Sequence, residues 1–402
     1  MHCGARVSEF GAWLTSGRFE DPSLPELLES AKSLLADPSF SHVSEWKEAH
    51  GGRAIGCFPV FAPFELIHAA GMLPVSVYGA GSTIEIDHAD SRMQSFVCSI
   101  SRSTLELGLT GRLTPFDGFV FTSICDVARN LSGVFQRNFP NLMVEYLHMP
   151  QNTASGAVVD YGEAEFRRLL ARLETLAGRK VSPSEIARSI ALYNAGRRLM
   201  RDLYALRREA PWLVPTHELY LLNRAGGVLP KEMHIAMLRA ALKSFKRREA
   251  KPRDSVKVVL EGSFCEQPPV ELLKTLEEAG LAFLDDDFFL GHRWFQEDVP
   301  VDGNPVRSLA ESYLRTKVTS AVRWSGSKVD GLIRKVKESK ADGVVFCAAK
   351  FCEPALYDYV PYKEALEKAK IPYLAIEFEE KMTAFENVRT QAETFVESVL
   401  FA

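Results

Sequence analysis

Three widely separated cysteines carry the strongest chemical signal in this chain of 402 residues. Cys98 lies in a predicted helix, within the stretch from Phe96 to Asp126 around which we expect the chain to be organised. Cys125 follows the apolar strand pattern DGFVF and precedes a predicted helix start. Cys352 follows a similar strand, DGVVF. Because ligands of parallel α/β sheets bind beyond the carboxyl ends of the strands, we expect these thiols to face one site.

Several thiolates at one site would bind a soft metal, mainly zinc or an iron-sulfur cluster. The sequence lacks the C-x-x-C pair of zinc ribbons and ferredoxins, which disfavours a structural zinc site and leaves a dispersed cluster site open. Spacing alone does not decide, and buried or incidental thiols remain the alternative. Cys57 and Cys347 lie within strand patterns and are predicted to be core. Cys265 either lines a pocket or is buried, and Cys3 is interpreted as incidental.

The composition is that of an ordinary globular protein with room for two or three domains. A formal net charge of -4 gives no general electrostatic reason to bind nucleic acid or an anionic membrane. The sequence has no apolar run of about 18 residues and no apolar signal segment at its amino terminus, so we expect a cytoplasmic protein. Seven cysteines without a secretory signal favour reduced thiols over a disulfide framework.

Short apolar strand patterns alternate with helical periodicity, which predicts parallel sheets in two halves. The order Asp-Gly, apolar strand, turn, Cys, acidic residue occurs at Asp117–Asp126 and again at Asp342–Glu353, which suggests that the halves are similar. We therefore predict an α/β fold with two Rossmann or flavodoxin-like parallel-sheet halves. The predicted segments are a helical N-terminal arm (1–50), the first half with Cys98 and Cys125 (51–155), a helical insert (156–252) and the second half with Cys352 (253–402).

The helical insert contains a strong start signal at Ser182, where Pro183 and Glu185 complete a predicted capping box. Its many arginines are interpreted as a solvated face, with contact to the phosphates of a large anionic ligand as the alternative. A charged turn at 246–254 is the predicted boundary with the second half. The glycine turn GAGST lacks the spacing and the lysine of a phosphate-binding loop, so it does not predict a nucleotide site.

Six segments together resemble one known family: FPVFAPFELIHAAGMLPVSVYGAG, SFVCSISRSTLELGLTGRL, DGFVFTSICDVARNLSG, PWLVPTHELYLLNRAGGVLP, GSFCEQPP and KFCEPALYDYVP. From about Leu24 onward the chain resembles the 2-hydroxyacyl-CoA dehydratase and benzoyl-CoA reductase family. It is most similar to the smaller of the two cluster-bearing subunits of the ATP-dependent reductases. The PWLVPTHELYLLNRAGGVLP and GSFCEQPP segments favour the benzoyl-CoA branch over the dehydratases.

The resemblance implies that Cys98, Cys125 and Cys352 hold an iron-sulfur cluster, either a 4Fe-4S cubane or part of a double cubane. Three protein ligands would leave one iron open to a substrate, water or a bridging sulfide. The implied function is reduction of benzoyl-CoA to a cyclic diene-carbonyl-CoA in anaerobic aromatic degradation. A 2-hydroxyacyl-CoA dehydratase subunit, or a non-catalytic partner that only holds a cluster, is the alternative.

The resemblance also implies partner proteins. Ring reduction at low potential needs an energy input, and the chain has no GxxxxGK[ST] loop for ATP. The implied partners are a homologous cluster-bearing subunit and ATP-hydrolysing activator subunits, with reduced ferredoxin as the indirect donor and a CoA thioester as substrate.

Three further residues are candidates for roles in substrate chemistry. Glu65, in the first turn of the helix after Pro63, is an acid/base candidate by resemblance, and a helix-dipole role is the alternative. His292 and Arg293 could hold carbonyl or phosphate groups of a CoA ester. Surface pairing of these two residues with Asp285 or Asp286 is the alternative.

Overall fold

A computed structural model of the chain describes residues 22–58, 60–150, 152–263, 265–266, 268–287, 295–317 and 327–401.

The first half is a four-stranded, all-parallel sheet with strand order β2-β1-β3-β4. Of the two preceding helices, the first packs against the helical insert and the second packs against the first strand of the sheet. The insert shares one continuous apolar core with the first sheet. In chain order the elements are α1 (Leu24–Leu35), α2 (Ser41–His50), β1 (Arg53–Phe58), α3 (Phe64–Ala69), β2 (Met72–Ser76), α4 (Asp87–Asp90), α5 (Ser99–Leu109), β3 (Gly118–Thr122), α6 (Asp126–Asn138) and β4 (Met143–Leu147).

The helical insert follows the first sheet. Its second helix starts where the capping box predicts, because the Ser182 side chain accepts from the Glu185 amide and the Glu185 side chain accepts from the Ser182 amide at 2.7 Å. The insert consists of α7 (Val158–Ala177), α8 (Pro183–Glu209), α9 (Thr216–Ala225) and α10 (Lys231–Arg247).

The second half is also an all-parallel four-stranded sheet, with strand order β6-β5-β7-β8. Alternate residues of β7 enter two separate apolar clusters, one on each side of the sheet, so this strand is a continuous apolar run. The elements are β5 (Val256–Gly262), α11 (Val270–Glu278), β6 (Leu281–Asp286), α12 (Pro305–Ser312), a π-helix (Tyr313–Lys317), α13 (Ser327–Ser339), β7 (Gly343–Ala349), α14 (Glu353–Ala369), β8 (Tyr373–Phe378) and α15 (Glu386–Leu400).

The two halves repeat each other in detail, which confirms the predicted α/β fold. Asp117 precedes β3, accepts from the Ala54 amide at 2.9 Å and donates its own amide to the Ala54 carbonyl at 2.9 Å. Asp342 precedes β7 and makes the same two bonds to Lys257, at 2.8 and 2.6 Å. The shared strand order and these matched bonds mean that β3 and β7 hold equivalent places in their sheets. The domain boundaries stay predictions.

The interpretation of the insert's arginines as a solvated face is wrong for two of them. Arg197 and Arg207 are 3% and 0% exposed, and they lie on the buried side of α8. Arg207 pairs with the buried carboxylate of Asp286 at 2.7 Å and its guanidinium lies 4.1 Å from the ring centroid of Tyr204. The apolar contacts of α8 leave these cations without water, so each requires a buried carboxylate. Among the described residues, no helix is long and apolar enough to cross a membrane.

We expect Gly56→Ala to lower the free energy of unfolding by about 1–3 kcal/mol, measured by urea denaturation. An added Cβ would lie 2.4 Å from the ring of Phe119, which is fully buried and packed 5.1 Å from the ring of Phe135, so the ring has nowhere to move.

Gly133→Ala in α6 is the matched control, because an added Cβ there meets no atom within 4 Å. We expect this change to raise the free energy of unfolding by about 0.5–1 kcal/mol through helix propensity. Equal stability of Gly56→Ala and the wild type would contradict the packing of β1 against Phe119.

Candidate metal centre

The three candidate cysteines share one structural position, directly before the first residue of a helix. Cys98 precedes α5, Cys125 precedes α6 and Cys352 precedes α14. The prediction that Cys98 lies within a helix is therefore corrected by one residue. Cys125 and Cys352 follow the equivalent strands β3 and β7, beside the points where the strand order reverses, at β1/β3 and β5/β7. The duplicated fold thus places both thiols at the position where such sheets bind ligands.

Polar groups near these helix starts contact the sulfur atoms. The Cys125 Sγ accepts from the Ala128 amide at 3.4 Å. The Cys98 Sγ lies 3.3 Å from the Ser101 hydroxyl. The Cys352 thiol interacts with the Ser263 hydroxyl and with a backbone amide of α14. Helix N-termini favour negative charge, so all three positions stabilise thiolates.

Burial opposes ionisation of the same thiols. It raises the pKa of Cys98 and Cys125 above the usual range and the pKa of Cys352 to about 11. Smaller increases in the pKa of Cys98 come from the charges of Cys352 and Cys125, and in the pKa of Cys352 from Cys125. The three sulfur atoms are therefore close enough to interact electrostatically. Without a cation they are neutral thiols at pH 7, so binding a metal must release protons.

The arrangement of the three thiols is not that of a site for a single metal ion. Among the described residues, no three side chains of the His, Cys, Asp and Glu types come close enough together to hold one metal ion. A cluster does not require that closeness, because each thiolate binds a different iron. Three sulfur donors at three helix N-termini, drawn from both halves, are suitable ligands for such a group.

A glycine turn positions Ser263 beside Cys352. Gly262 has a φ of +147°, and an added Cβ would lie 1.7 Å from the Cys347 carbonyl oxygen, so only glycine fits. This approach lets the Ser263 amide donate to the Cys347 carbonyl at 2.9 Å, and the Ser263 hydroxyl accept from the Ala349 amide at 2.7 Å. Gly262 and Ser263, the first two residues of GSFCEQPP, therefore place a hydroxyl group beside the Cys352 thiol.

The remaining cysteines in the described part of the chain have other surroundings. Cys57 and Cys347 are 1% and 0% exposed within β1 and β7, which confirms that they are core residues. Cys265 is partly buried and packs against the core of the first half, so both of its interpretations stay open. Cys3 lies outside the described residues.

Two buried carboxyl groups that contact α5, the helix that follows Cys98, were missed by sequence reasoning. Glu266, 1% exposed, accepts from the Ser99 hydroxyl at 3.1 Å and from the Ile100 amide at 3.3 Å, both in the first turn of α5. Glu380 accepts from the Ser103 hydroxyl one turn further on, at 2.9 Å. Burial raises the pKa of Glu266 to about 7, and burial together with the charge of Glu266 raises the pKa of Glu380 well above its usual range. An acidic residue after a strand end was the available signal in both cases.

Of the other candidate residues, only Glu65 lies within the described part of the chain. Glu65 is fully buried in α3 and forms an ion pair with Arg197 of α8. Its role as an acid or base stays a prediction. His292 and Arg293 lie outside the described residues, so their roles also stay predictions. Their proposed surface partners are both buried: Asp285 pairs with Arg208, and Asp286 with Arg207.

Comparison with known proteins shows which family the chain belongs to. The family described as 2-hydroxyglutaryl-CoA dehydratase, D-component, matches residues 59–399. One benzoyl-CoA reductase subunit of Thauera aromatica is 39% identical over 94% of this chain and 99% of its own length. Lactoyl-CoA dehydratase subunit beta of Anaerotignum propionicum is 30% identical over 92% and 98%. The (R)-phenyllactyl-CoA dehydratase beta subunit of Clostridium sporogenes is 29% identical over 92% and 97%. The chain therefore belongs to the 2-hydroxyglutaryl-CoA dehydratase D-component family, as an enzyme subunit of the reductase and dehydratase type.

Proposed function

We propose that this chain is the iron-sulfur cluster-bearing subunit of an ATP-dependent benzoyl-CoA reductase. The observation that carries the proposal is that Cys98, Cys125 and Cys352 each precede a helix and that their charges influence one another. The similarity to the benzoyl-CoA reductase of Thauera aromatica supports the choice of reaction. The product would be a cyclic diene-carbonyl-CoA, formed by delivery of electrons and protons to the thioester-activated ring.

The residues around the thiols would contribute to the reaction in different ways. When bound, an iron-sulfur cluster supplies one-electron transfer at low potential. The three thiolates would hold it, as a 4Fe-4S cubane or part of a double cubane, and the helix N-termini would stabilise its negative charge. Burial and the charge of Glu266 raise the pKa of Glu380 well above its usual range, which favours the protonated form of this carboxyl beside α5. This supports a proton source within the same chain.

A homologous cluster-bearing subunit is the proposed neighbour of the cysteine site. Large apolar side chains are exposed close to the cysteines in the sequence: Phe96 is 66% exposed, Phe351 38%, Leu356 43%, Tyr357 70% and Val360 56%. Exposed apolar side chains gathered near a site mark interaction surfaces. The relatives are themselves named as subunits, which supports a partner chain as the occupant. ATP hydrolysis and electron supply from reduced ferredoxin are assigned to further subunits.

A dehydratase subunit is the second candidate, because two of the relatives are dehydratase beta subunits of 29% and 30% identity. Anaerobic purification of the native complex, followed by assays with benzoyl-CoA and with a 2-hydroxyacyl-CoA, separates the two. We expect about four iron atoms per chain for a cubane, and ring reduction that depends on ATP. Zinc in place of iron would contradict the proposal, and turnover of the 2-hydroxyacyl-CoA alone would favour the dehydratase. If an inactive complex regains activity when only the homologous cluster-bearing subunit is changed, a structural role for this chain would be favoured.

We expect single changes of Cys98, Cys125 or Cys352 to Ala to remove most of the bound iron and the visible cluster absorbance. Loss of one thiolate leaves an iron without its protein ligand and makes the whole group labile. Iron and sulfide analysis of anaerobically purified protein checks this result.

Cys57→Ala is the matched control, since this thiol is buried within β1. It should lower stability by about 1 kcal/mol through the small cavity it leaves, with iron content unchanged. Full cluster retention in Cys98→Ala or Cys352→Ala would remove the basis of the ligand assignment.

We expect the double change Tyr357→Lys and Val360→Lys to abolish co-purification with the homologous subunit, because two added charges would have to be desolvated at the interface. Size-exclusion chromatography of co-expressed subunits measures the effect. Tyr161→Lys is the control on α7, where an exposed tyrosine lies in a different helix. Equal loss of assembly in both variants would sink the assignment of this surface.

A further inference from the structure

A second candidate site lies at the carboxyl edge of the first sheet, the edge at which Cys125 also lies. A cavity opens between the residues that follow β1 and β2 and the helices α3, α8, α9 and α10. Aromatic side chains of Phe61, Phe64 and Tyr193 form part of its wall, and the polar side chains of Arg197 and Lys231 also face it. Asn223, Gly226 and Gly227 of the NRAGGVLP sequence complete the lining. This motif therefore contributes to a cavity rather than to the cysteine site.

Lys231 is the unusual group in this cavity. It is 9% exposed, and its Nζ lies 3.2 Å from the Nδ1 of His234. The His234 Nε2 lies 3.0 Å from the Leu222 carbonyl oxygen and therefore carries the proton that it donates. Nδ1 is then free to accept from the ammonium group. Within the described part of the chain, Lys231 has no carboxylate at ion-pair distance.

The charge balance of the cavity favours an added oxygen ligand. The Arg197 charge is matched by Glu65, and burial lowers the pKa of His234 well below its usual range, so this imidazole is neutral. Burial and the charge of Arg197 lower the pKa of Lys231 to about 8, which leaves most of its ammonium charged at pH 7. The Lys231 Nζ lies 5.1 Å from the centroid of the Tyr193 ring, and the charges of Glu65 and Glu232 also favour the ammonium form. Neither carboxylate is at ion-pair distance, so the cost of burying this cation is only partly offset. A carboxylate or carbonyl oxygen from a ligand would offset that cost.

Three glycines bring backbone unusually close to the polar groups of the cavity. A Cβ on Gly196 would lie 2.8 Å from the Lys231 Nζ, and one on Gly226 would lie 2.2 Å from the His234 ring. A Cβ on Gly227 would lie 2.8 Å from the Tyr78 hydroxyl. The absence of side chains at all three positions keeps these groups in place.

A strained residue in the cavity wall lies next to a hydrogen bond that connects this wall to the strand before Cys125. Phe61 has a φ of +63°, which is unfavourable for a residue of this size and is retained mainly at functional positions. The Thr122 hydroxyl, at the end of β3, donates to the Val60 carbonyl at 2.6 Å. The loop that carries Phe61 is thereby attached to the strand that leads to Cys125.

The cavity is small and adjoins a larger groove. The cavity measures about 60 Å³, room for several waters or a carboxyl-sized group. Ser76 and Tyr78 line both this cavity and a groove of about 220 Å³ that includes the glycine turn at 79–83 and Arg224. A ligand with an oxygen at Lys231 that is too large for the cavity would have to pass Ser76 and Tyr78 to occupy the groove.

We propose that this cavity binds a carboxylate or acyl carbonyl group through the Lys231 ammonium, with the rest of the ligand in the groove beyond Tyr78. The inference rests on the proposed function only for the identity of the acyl group. The same oxygen chemistry could come from a free carboxylate or from a thioester.

Isothermal titration of the purified full chain with benzoate, and separately with benzoyl-CoA, tests the site and distinguishes the two sources. We expect Lys231→Met to weaken binding of at least one probe by about 10- to 100-fold, as loss of a charge-assisted hydrogen bond predicts. Gly196→Ala should weaken the same probe by about 3- to 10-fold, because the new methyl group displaces the ammonium. This variant should keep its fold, since alanine is favoured within a helix.

Lys246→Met, an exposed lysine on the same helix, is the control and should leave binding unchanged. Binding of neither probe, or equal binding by the wild type and Lys231→Met, would overturn the inference. Iron analysis of the same preparations distinguishes a failure of the proposed function from a failure of the proposed cavity. A chain without iron that still binds through Lys231 would contradict only the proposed function, and a chain with iron whose binding ignores Lys231 would contradict only the cavity.

Discussion

The arrangement of the three candidate cysteines depends on the contact between the two halves at α5. Glu266 belongs to the second half, yet it accepts hydrogen bonds from Ser99 and Ile100, the first residues after Cys98. Together with the ion pairs of α8, this contact holds Cys98 and Cys125 of the first half in place relative to Cys352 of the second. Burying a carboxyl group is costly unless its oxygens are paired, so the donors at the helix start and the acid must stay together. The contact therefore fixes the third thiol relative to the first two.

Duplication of one chain path explains why two cysteines so far apart in sequence are structurally equivalent. Both sheets run second, first, third and fourth strand, and both place a cysteine after the third strand. Asp117 and Asp342 anchor these strands in the same way, by paired bonds to the neighbouring strand. Cys98 is the exception, because it precedes a helix that follows a loop rather than a strand. Its position depends on the contacts of α5.

The helical insert connects the halves through buried ion pairs. Arg197 reaches α3 of the first half through Glu65, and Arg207 reaches β6 of the second half through Asp286. Removing one partner of such a pair leaves an uncompensated charge in the interior, which costs more than the pair gains by forming. One long helix thus holds both sheets by contacts that are specific in position. The cavity around Lys231 lies along the same helix, so its shape is set by the same contacts.

Local patterns in the sequence determined most of the secondary structure and the location of the thiols. Continuous apolar runs such as DGVVF predict strands buried on both faces, and the Ser182 capping box predicts the start of α8, because both signals involve only neighbouring residues. The resemblance implies that the three cysteines are cluster ligands, which stays a prediction, and spacing alone left zinc and incidental thiols open. Only the tertiary structure showed that Glu266 meets α5.

The burial of Arg197 and Arg207 was also decided by the tertiary structure, although a periodic signal was present. Tyr193, Arg197, Met200, Tyr204 and Arg207 recur every three or four residues, the spacing of one helix face. That pattern marks a common face without telling which partner covers it. The partners are 132 residues away for Arg197 and 79 for Arg207, and Glu266 lies 166 residues from Ile100. Whether a charge is buried depends on what packs over it, and in this protein the covering residues are supplied by distant parts of the chain.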